Sequence, residues 1–358
     1  MVSLRLGLVG CGGIAEAHGE AARSLRGTIE FTACCDIDLE RARAWAEAYQ
    51  NGARAYPGMK EMIVSEELDG ILLATWPNLH REQIEESLSL GVRNILCEKS
   101  LAVSGAEAVE IFDLVRNAGA FLMEGFMYRH HPAIREMERI IREGTIGAID
   151  YVRGAFSNDE PEIFSANDVT RNWRYRRECA GGVAFDYACY PINACGHLAG
   201  GIPIRASAHG SISKTYDIMD RMIGVIEYSN GRTGIIESSK KSAFNQELSV
   251  SGSAAILTLP VAWTIESEIS LSLETSPDWG RIEMTEHPIS PADPYRMQLE
   301  NFAAVISDGA TPLVPFVQSV VNVHVIDALM RSVVDHRTIE IELRPDIVEA
   351  YTNYLDSL

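Results

Sequence analysis

Short apolar runs alternate with amphipathic stretches over the first third of the chain. The runs predict five strands, at Leu6 to Val9, Phe31 to Cys35, Gly70 to Ala74, Asn94 to Cys97 and Phe121 to Glu124. Between them, apolar residues at helical spacing predict helices such as Leu39 to Tyr49 and Arg81 to Leu90. Nearly continuous apolar strands joined by helices are typical of a parallel sheet that is covered on both faces. We therefore expect an N-terminal Rossmann domain of the α/β class, with a doubly wound parallel sheet.

After Pro132 the pattern becomes mixed. A predicted helix at Ala133 to Glu143 is followed by an alternating, half-exposed strand at Ile149 to Phe156. Further strands are predicted at Met222 to Tyr228, Thr233 to Ser238, Glu247 to Ser251 and Ile256 to Leu259. Asn230-Gly231, between the first two of these, is a strong signal for a tight hairpin. The second domain is thus expected to be α+β, with an open, largely antiparallel sheet.

The change of pattern places a domain boundary near residue 126. We expect a Rossmann domain over residues 1–126 and an α+β domain over residues 127–358. A length of 358 residues agrees with two domains, because a single hydrophobic core rarely grows beyond about 250 to 300 residues. Two late helices, predicted at Tyr295 to Ile306 and Val317 to Val334, are expected to cover the second sheet or to pack back on the first domain.

Composition and charge exclude several classes of protein. No segment approaches the roughly 20 apolar residues of a membrane span, and the first residues lack the pattern of a secretion signal, so a cytoplasmic protein is expected. The formal net charge of −19 disfavours nucleic acid and anionic membranes as partners. The odd number of cysteines favours reduced core thiols, namely Cys11, Cys34, Cys35, Cys97, Cys179, Cys189 and Cys195. Cys189, Cys195 and His197 lie close in sequence but lack the usual spacing of zinc ligands, so no metal is expected.

A glycine-rich turn follows the first predicted strand directly and opens a helix. Gly10-Cys11-Gly12-Gly13-Ile14-Ala15 fits the G-x-G-x-x-G/A pattern in the context where that pattern is informative. Gly10 permits the tight turn, and Gly12 lets the backbone approach a pyrophosphate. The N–H groups at the helix start, including those of Gly13 and Ile14, then supply hydrogen-bond donors to the phosphates.

Asp36 ends the second predicted strand, about 20 residues after the turn, where a carboxylate can accept hydrogen bonds from adenosine ribose hydroxyls. A 2′-phosphate would be repelled there, and no arginine immediately follows Asp36. NAD is therefore favoured over NADP, although NADP is not excluded. The alternative interpretation is a glycine turn with a capping aspartate and no cofactor.

Further motifs resemble those of one family, in order and over nearly the whole chain. Residues 97–100 resemble C-E-K-P, residues 123–129 resemble M-x-G-x-x-x-R, residues 186–190 resemble D-x-G-x-H/Y, and residues 295–302 match Y-x-x-Q-x-x-x-F. The chain thus resembles the glucose-fructose oxidoreductase / inositol dehydrogenase / rhizopine catabolism (Gfo/Idh/MocA) family. This resemblance implies an NAD(P)-dependent oxidoreductase that transfers a hydride between the nicotinamide and a secondary alcohol or ketone of a sugar, polyol or related cyclic alcohol.

The resemblance also implies roles for three residues. Lys99 would stabilise the negative charge that develops on the substrate oxygen, and Tyr190, where family members carry His or Tyr, would give or take the hydroxyl proton. Asp186 would hold the substrate hydroxyl or orient the proton donor, and its spacing from Tyr190 places both on one face of a predicted helix. Taken alone, Lys99 fits a surface lysine equally well, and Asp186 and Tyr190 fit a helix cap beside a buried tyrosine.

Other expected cofactor contacts follow from the same resemblance. They are Thr75, Trp76, His80, Glu98, Lys99, Trp173 and Arg174. Two residues depart from the family motifs, since Ser100 replaces proline and Ala188 replaces glycine. The T-P-N-x-x-H motif is also shifted, so no contact is assigned to Asn78, and Trp76 would close over the cofactor or pack in the core.

Apart from Arg174, a group of arginines and four histidines have no role assigned by the motifs. Arg171, Arg174, Arg176 and Arg177 form a basic stretch that could suit an acidic or phosphorylated substrate, or could pair with surface carboxylates. Four histidines are interpreted as structural, namely His18, His130, His131 and His197.

Two other functions stay open on the sequence alone. One is a dinucleotide-binding regulator that has lost the chemistry. The other is a glycosidase that uses NAD in a transient oxidation at C3 of the sugar. The resemblance further implies a homodimer or homotetramer in which the open sheet of the second domain is covered, because its face and edge would otherwise need protection.

Overall fold

The computed structural model describes residues 3–49, 52–160, 172–265, 267–278 and 280–358. Within those ranges the chain divides into two units. The described residues within 1–102, 106–130 and 293–316 form the first unit, and those within 103–105, 131–292 and 317–358 form the second. The helices are α1 (Gly13–Arg23), α2 (Leu39–Tyr49), α3 (Met59–Ser65), α4 (His80–Ser89), α5 (Gly105–Asn117), α6 (Pro132–Arg142), α7 (Cys189–Ala199), α8 (Pro294–Asp308), α9 (Phe316–Asp335) and α10 (Pro345–Leu355).

A six-stranded parallel sheet forms the centre of the first unit. Its strands are β1 (Leu4–Val9), β2 (Ile29–Cys35), β3 (Arg54–Tyr56), β4 (Gly70–Leu73), β5 (Asn94–Glu98) and β6 (Phe121–Gly125). Their order is β3-β2-β1-β4-β5-β6, and all described pairings are parallel. The expected doubly wound Rossmann sheet is therefore confirmed. The strand order reverses between β1 and β4, and ligands of such sheets bind outside the carboxyl ends of the strands at this point.

The late helix α8 belongs to the first unit, where it packs on the Rossmann elements. The ring of Phe302 on α8 stacks on Phe121 of β6, with 5.6 Å between the ring centroids. Tyr295, at the start of α8, contacts His18 of α1 edge to face at 5.3 Å. A segment almost 170 residues beyond β6 thus completes the hydrophobic core of this unit.

The second unit is built around a nine-stranded sheet. Its strands are β7 (Ile149–Ser157), β8 (Pro203–Ile212), β9 (Met219–Tyr228), β10 (Thr233–Ser239), β11 (Leu248–Gly252), β12 (Ala255–Leu259), β13 (Ile269–Asp278), β14 (Arg281–Ile289) and β15 (Ile339–Glu340). The order is β14-β13-β12-β11-β7-β10-β9-β8-β15. Strands β7 and β10 pair in parallel and the other described pairings are antiparallel, which confirms the expected sheet. The predicted hairpin joins β9 to β10, with Gly231 at φ +82°.

One helix departs from an expectation drawn from composition. Helix α9 is long and apolar enough, by length and composition, to cross a membrane. This is weak evidence for a membrane span, because the apolar part of the helix is mostly buried inside the protein, as in a core helix. The expectation that no segment approaches the apolar length of a membrane span is therefore wrong for residues 316–335. Their burial agrees with the expected packing role.

The cysteines and two of the histidines have structural surroundings. All seven cysteines are buried with free thiols. His197 contacts the Tyr354 hydroxyl and the Glu138 carboxylate, each at 2.7 Å, and His131 caps α6 by accepting a hydrogen bond from the Ala133 N–H. Among the described residues, no group of three or more His, Cys, Asp or Glu side chains is arranged to hold a metal.

Candidate functional site

The glycine-rich turn between β1 and α1 has space in front of it. Gly10 has φ +89°, and a Cβ added there would lie 2.9 Å from the Ala74 carbonyl oxygen, so only glycine fits. In contrast, a Cβ added at Gly12 or Gly13 would meet no heavy atom within 4 Å. The open space lies before the start of α1, where backbone N–H groups favour anions. The turn therefore fits a ligand that approaches the backbone closely, as a dinucleotide pyrophosphate does.

Asp36 supports this turn from the end of β2. One carboxylate oxygen accepts a hydrogen bond from the Cys11 N–H at 2.9 Å, and the other accepts one from the Asp38 N–H, also at 2.9 Å. The Arg41 guanidinium of α2 lies 3.4 Å from Asp36 and is half exposed. The sequence interpretation considered only the residues directly after Asp36, so it missed Arg41, which the first turn of α2 brings back to the carboxylate.

Lys99 lies just after β5, at the same carboxyl edge of the sheet. It is partly exposed, and its peptide bond to Ser100 is cis. The preceding Glu98 is buried, accepts a hydrogen bond from the Lys99 N–H at 3.2 Å and contacts His18 of α1 at 2.7 Å. His18 thus has a buried carboxylate partner that was not visible in the sequence. This contact joins the helix of the glycine turn to the strand that carries Lys99.

The segment after β4 holds the three predicted contacts Thr75, Trp76 and His80. Trp76 is partly exposed, and the Thr75 hydroxyl donates to Gln83 at 2.5 Å. His80 is completely buried, with Nδ1 3.0 Å from the Ser100 carbonyl oxygen and Nε2 3.2 Å from that of Thr75. Burial lowers the pKa of His80, although the carbonyl contacts act in the opposite direction. The structure therefore gives His80 a supporting position between two loops, and its expected contact with the cofactor stays a prediction.

Asp186 and Tyr190 lie in the second unit, at the start of α7. Asp186 belongs to a π-helical turn, Ala184–Ala188, in place of the ordinary helix start that was expected. Such turns occur frequently at functional sites. The Asp186 carboxylate is 2% exposed and accepts hydrogen bonds from Arg174 Nε at 3.1 Å and from Lys240 Nζ at 2.8 Å. Tyr190 is buried against the rings of Phe156 and Trp263.

Arg174 binds Asp186 and interacts electrostatically with Tyr190. Its guanidinium lies over the Trp173 ring, 5.2 Å from the ring centroid, and the side chain is 44% exposed. The charge of Asp186 is the main cause that raises the pKa of Arg174, and Tyr190 contributes in the same direction. The structure thus brings together four residues that sequence motifs singled out in this unit, namely Trp173, Arg174, Asp186 and Tyr190.

The neighbouring arginines have carboxylate partners. Arg176 pairs with Glu178 at 2.7 Å, and Arg177 pairs with Asp217 at 2.5 Å. Arg171 lies outside the described residues. For the arginines that the structure describes, the interpretation as partners of carboxylates therefore agrees with the geometry.

Lys240 is a residue that the sequence analysis missed. Its side chain is fully buried, and its ammonium contacts both Asp186 and Glu160. Two adjacent lysines after a predicted strand look like solvent-exposed residues, and nothing in their spacing indicates burial. The burial arises from the parallel pairing of β7 with β10, which connects segments about 80 residues apart.

The predicted catalytic residues are divided between the two units. Lys99 lies in the first unit, with the glycine turn and Asp36, whereas Asp186 and Tyr190 lie in the second. His130, another expected structural residue, lies in the first unit, where burial and the charge of Arg129 lower its pKa to about 4.

Comparisons with known families agree with this division. Residues 4–126 match the model described as "Oxidoreductase family, NAD-binding Rossmann fold". Residues 134–258 match the model described as "GFO/IDH/MocA C-terminal domain".

Similar proteins include D-xylose 1-dehydrogenase (NADP(+)) 2 of Haloferax volcanii, which is 30% identical over 314 residues, 87% of this chain and 93% of that protein. A 3-ketoreductase from Actinomadura kijaniata, solved in complex with NADP and TDP-benzene, has a TM-score of 0.81 at 22% identity, covering 92% of this chain and 98% of that one. Levoglucosan dehydrogenase, solved with NADH and levoglucosan, has a TM-score of 0.84 at 19% identity and covers 95% and 100%. At these identities the two solved structures show the fold alone.

Proposed function

Because the chain belongs to the Gfo/Idh/MocA family of NAD(P)-binding oxidoreductases, we propose that it transfers a hydride between the nicotinamide and a secondary alcohol or ketone of a sugar, polyol or related cyclic alcohol. The observation that carries this proposal is the open glycine turn at the point where the strand order of the first sheet reverses. The names of these relatives support the substrate class, because they include a D-xylose dehydrogenase, a levoglucosan dehydrogenase and a 3-ketoreductase.

The residues of the first unit would hold the cofactor. The N–H groups at Gly12, Gly13 and Ile14 would bind the pyrophosphate, and Asp36 would accept hydrogen bonds from the ribose. The nicotinamide supplies or accepts the hydride when bound. The ammonium of Lys99 would stabilise the negative charge on the substrate oxygen and orient the hydroxyl.

The residues of the second unit would handle the proton. The Tyr190 phenol would give a proton to the substrate oxygen during reduction and take it during oxidation. Both oxygens of Asp186 already bind cations, so this carboxylate is suited to orient its neighbours and unsuited to carry a proton. Asp186 holds Arg174, which is partly exposed. Arg174 would in turn orient a substrate or the Tyr190 hydroxyl.

We further propose that NAD is the preferred cofactor. The support for this preference is the position of Asp36 directly behind the turn, where a 2′-phosphate would meet a carboxylate. The relatives are named with NADP(+), NADP and NADH, so they do not favour NAD over NADP. Arg41 beside Asp36 can offset part of the repulsion, because its guanidinium lies 3.4 Å from the carboxylate.

Assembly and location are also proposals. The face of the second sheet that carries the exposed side chains of Ile223, Val225 and Ile256 supports a homodimer or homotetramer in which this face is covered. A cytoplasmic location is supported by the seven cysteines, which are all buried with free thiols.

A direct experiment measures turnover of D-xylose, levoglucosan and polyols with NAD+ and NADP+ by absorbance of the reduced nicotinamide. Lys99→Met and Tyr190→Phe should each lower kcat by about 100-fold or more, with dinucleotide binding unchanged. Binding of a dinucleotide without turnover of any alcohol would favour the regulator instead. Product formation without net absorbance change would favour the glycosidase, and absence of dinucleotide binding would refute the proposal.

A further inference from the structure

A complete lysine side chain is buried in the second unit. The Lys240 side chain is 0% exposed, and its Nζ lies 2.8 Å from Asp186 Oδ2 and 3.1 Å from Glu160 Oε2. Proteins tolerate a buried ammonium only where carboxylates and further hydrogen bonds compensate for the lost hydration. The two carboxylates provide this compensation here, and one of them belongs to the proposed site.

The topology of the sheet fixes the position of this ammonium. Strands β7 and β10 are parallel neighbours, so their carboxyl ends meet at one edge, and Lys240 directly follows β10. Its N–H donates to the Asp220 carbonyl at 2.9 Å, and its carbonyl accepts from the Glu160 N–H at 3.3 Å. The backbone is therefore held on both sides, and the side chain can extend only toward the start of α7, where Asp186 lies.

The surroundings of Lys240 are balanced in charge. Among the residues that the structure describes here, two cations, Lys240 and Arg174, face two carboxylates, Asp186 and Glu160. Glu160 also accepts hydrogen bonds from the hydroxyls of Tyr175 and Tyr187.

Both tyrosines stay neutral donors, because burial first and then the Glu160 carboxylate raise the pKa of Tyr175 and of Tyr187. Their rings lie 5.6 and 4.1 Å from the Lys240 ammonium and add cation–π contacts. The nearby Asp220 carboxylate is paired with the neighbouring Lys241. The balance between the two cations and the two carboxylates therefore depends on Lys240.

From this geometry we infer that Lys240 is a positioning residue, which keeps Asp186 charged and fixed so that Asp186 presents Arg174 beside Tyr190. The inference deepens the proposed function and relies on it for the kinetic measurement alone. A second measurement, on stability, is independent of activity.

Among the described residues, replacing Lys240 by methionine leaves the buried Asp186 and the mostly buried Glu160 with Arg174 as their cation. Like charges close together disfavour the ionised form of each other, so the pKa of one carboxyl should rise in this variant. If that carboxyl is Asp186, the acid limb of the pH profile of kcat/KM should move upward by about one pH unit or more. The double variant Lys240→Met/Glu160→Gln removes one positive and one negative charge, and its acid limb should return toward that of the wild type.

The same rise in pKa should appear in the pH dependence of folding. In the Lys240→Met variant the native state binds a proton that the unfolded chain has released above about pH 5. Because the native state then binds more protons than the unfolded state, stability falls as pH rises. The difference in Tm between wild type and variant should therefore widen from pH 5 to pH 8, and the double variant should abolish this widening.

Lys241→Arg is the matched control, because Lys241 is the adjacent lysine, is 54% exposed and pairs with Asp220, whose buried carboxylate keeps a cation in this variant. It should leave the acid limb and the pH dependence of the Tm difference unchanged. A Tm loss for Lys240→Met that is equal at every pH, with an unshifted acid limb, would overturn the inference and leave Lys240 a purely structural role.

If the single variant does not fold but the charge-matched double variant does, the inference is supported. Failure of both variants to fold would overturn it. Absence of turnover in the wild type would refute the proposed function, and the Tm series would still decide the role of Lys240.

Discussion

Single residues at the phosphate turn combine a structural contact with a predicted binding contact. Asp36 holds the turn through the Cys11 N–H and the loop through the Asp38 N–H, so its carboxylate is oriented before any cofactor binds. A residue that is already oriented loses little side-chain entropy on binding. The same carboxylate would repel a 2′-phosphate, while Arg41 would attract it.

This opposition leads to a prediction about cofactor choice. Asp36→Ala should shift the ratio of NADH to NADPH affinity toward NADPH by about tenfold, which corresponds to roughly 1.4 kcal/mol. Arg41→Met should weaken NADPH binding and leave NADH binding nearly unchanged. Fluorescence titration of each variant with both dinucleotides measures these ratios. An unchanged ratio in Asp36→Ala would show that the preference is set elsewhere.

At the scale of residues, the motifs predicted positions better than partners. Gly10, Gly12 and Asp36 could be located because a turn, a helix start and a strand end are local features of sequence. The contact between His18 and Glu98 and the burial of Lys240 could not be predicted, because each depends on elements far apart in the chain. Arg41 was missed for a different reason: helical spacing was not applied to the residues after Asp36.

Two positions of the glycine turn require glycine for different physical reasons. Gly10 has a positive φ and a close contact with the Ala74 carbonyl, whereas Gly12 has an ordinary φ of −85° and open space in front of it. The first requirement concerns folding of the turn, and the second concerns what the turn can bind.

A pair of substitutions separates these requirements. Gly12→Ala should fold with nearly wild-type Tm but lose dinucleotide affinity, because its Cβ would occupy the space that a pyrophosphate needs. Gly10→Ala should lower the Tm markedly, since it combines strain at φ +89° with a 2.9 Å contact to backbone. Thermal unfolding and dinucleotide titration of both variants test this. Unchanged affinity in Gly12→Ala would contradict the assignment of the phosphate site.

Periodicity predicted the buried elements and failed at the exposed or irregular ones. The five buried strands of the first sheet were located to within about two residues at each end, as expected for boundaries drawn from sequence. Strand β3 was missed because its three residues are exposed or half-buried at the sheet edge, and β14 because its residues are almost all exposed. The π-helical turn at Asp186 has no signal in the spacing, since four-residue spacing also fits an ordinary helix.

At the scale of the whole molecule, the second sheet presents an exposed face with apolar side chains in it. The register of the sheet places Val225 of β9 and Ile256 of β12 on the same face. Val225 pairs with Ile235, which pairs with Arg153. In the next row on that face, Tyr151 pairs with Ser251, which pairs with Ile256. Ile223 and Val225 are 50% and 38% exposed. A second copy of the same face would cover these side chains, because two-fold interfaces are built from one surface patch on both partners.

This arrangement predicts the effect of a charge placed in that face. Val225→Lys should convert the oligomer into monomer at micromolar concentration, because each two-fold interface would then bury two unpaired ammonium groups. The matched control is Val64→Lys on α3 of the first unit, where Val64 is 70% exposed, and it should leave the assembly unchanged. Sedimentation velocity of wild type and both variants measures the outcome. Wild-type protein that sediments only as monomer would remove the proposed assembly, and an oligomer that survives Val225→Lys would place the interface on another surface.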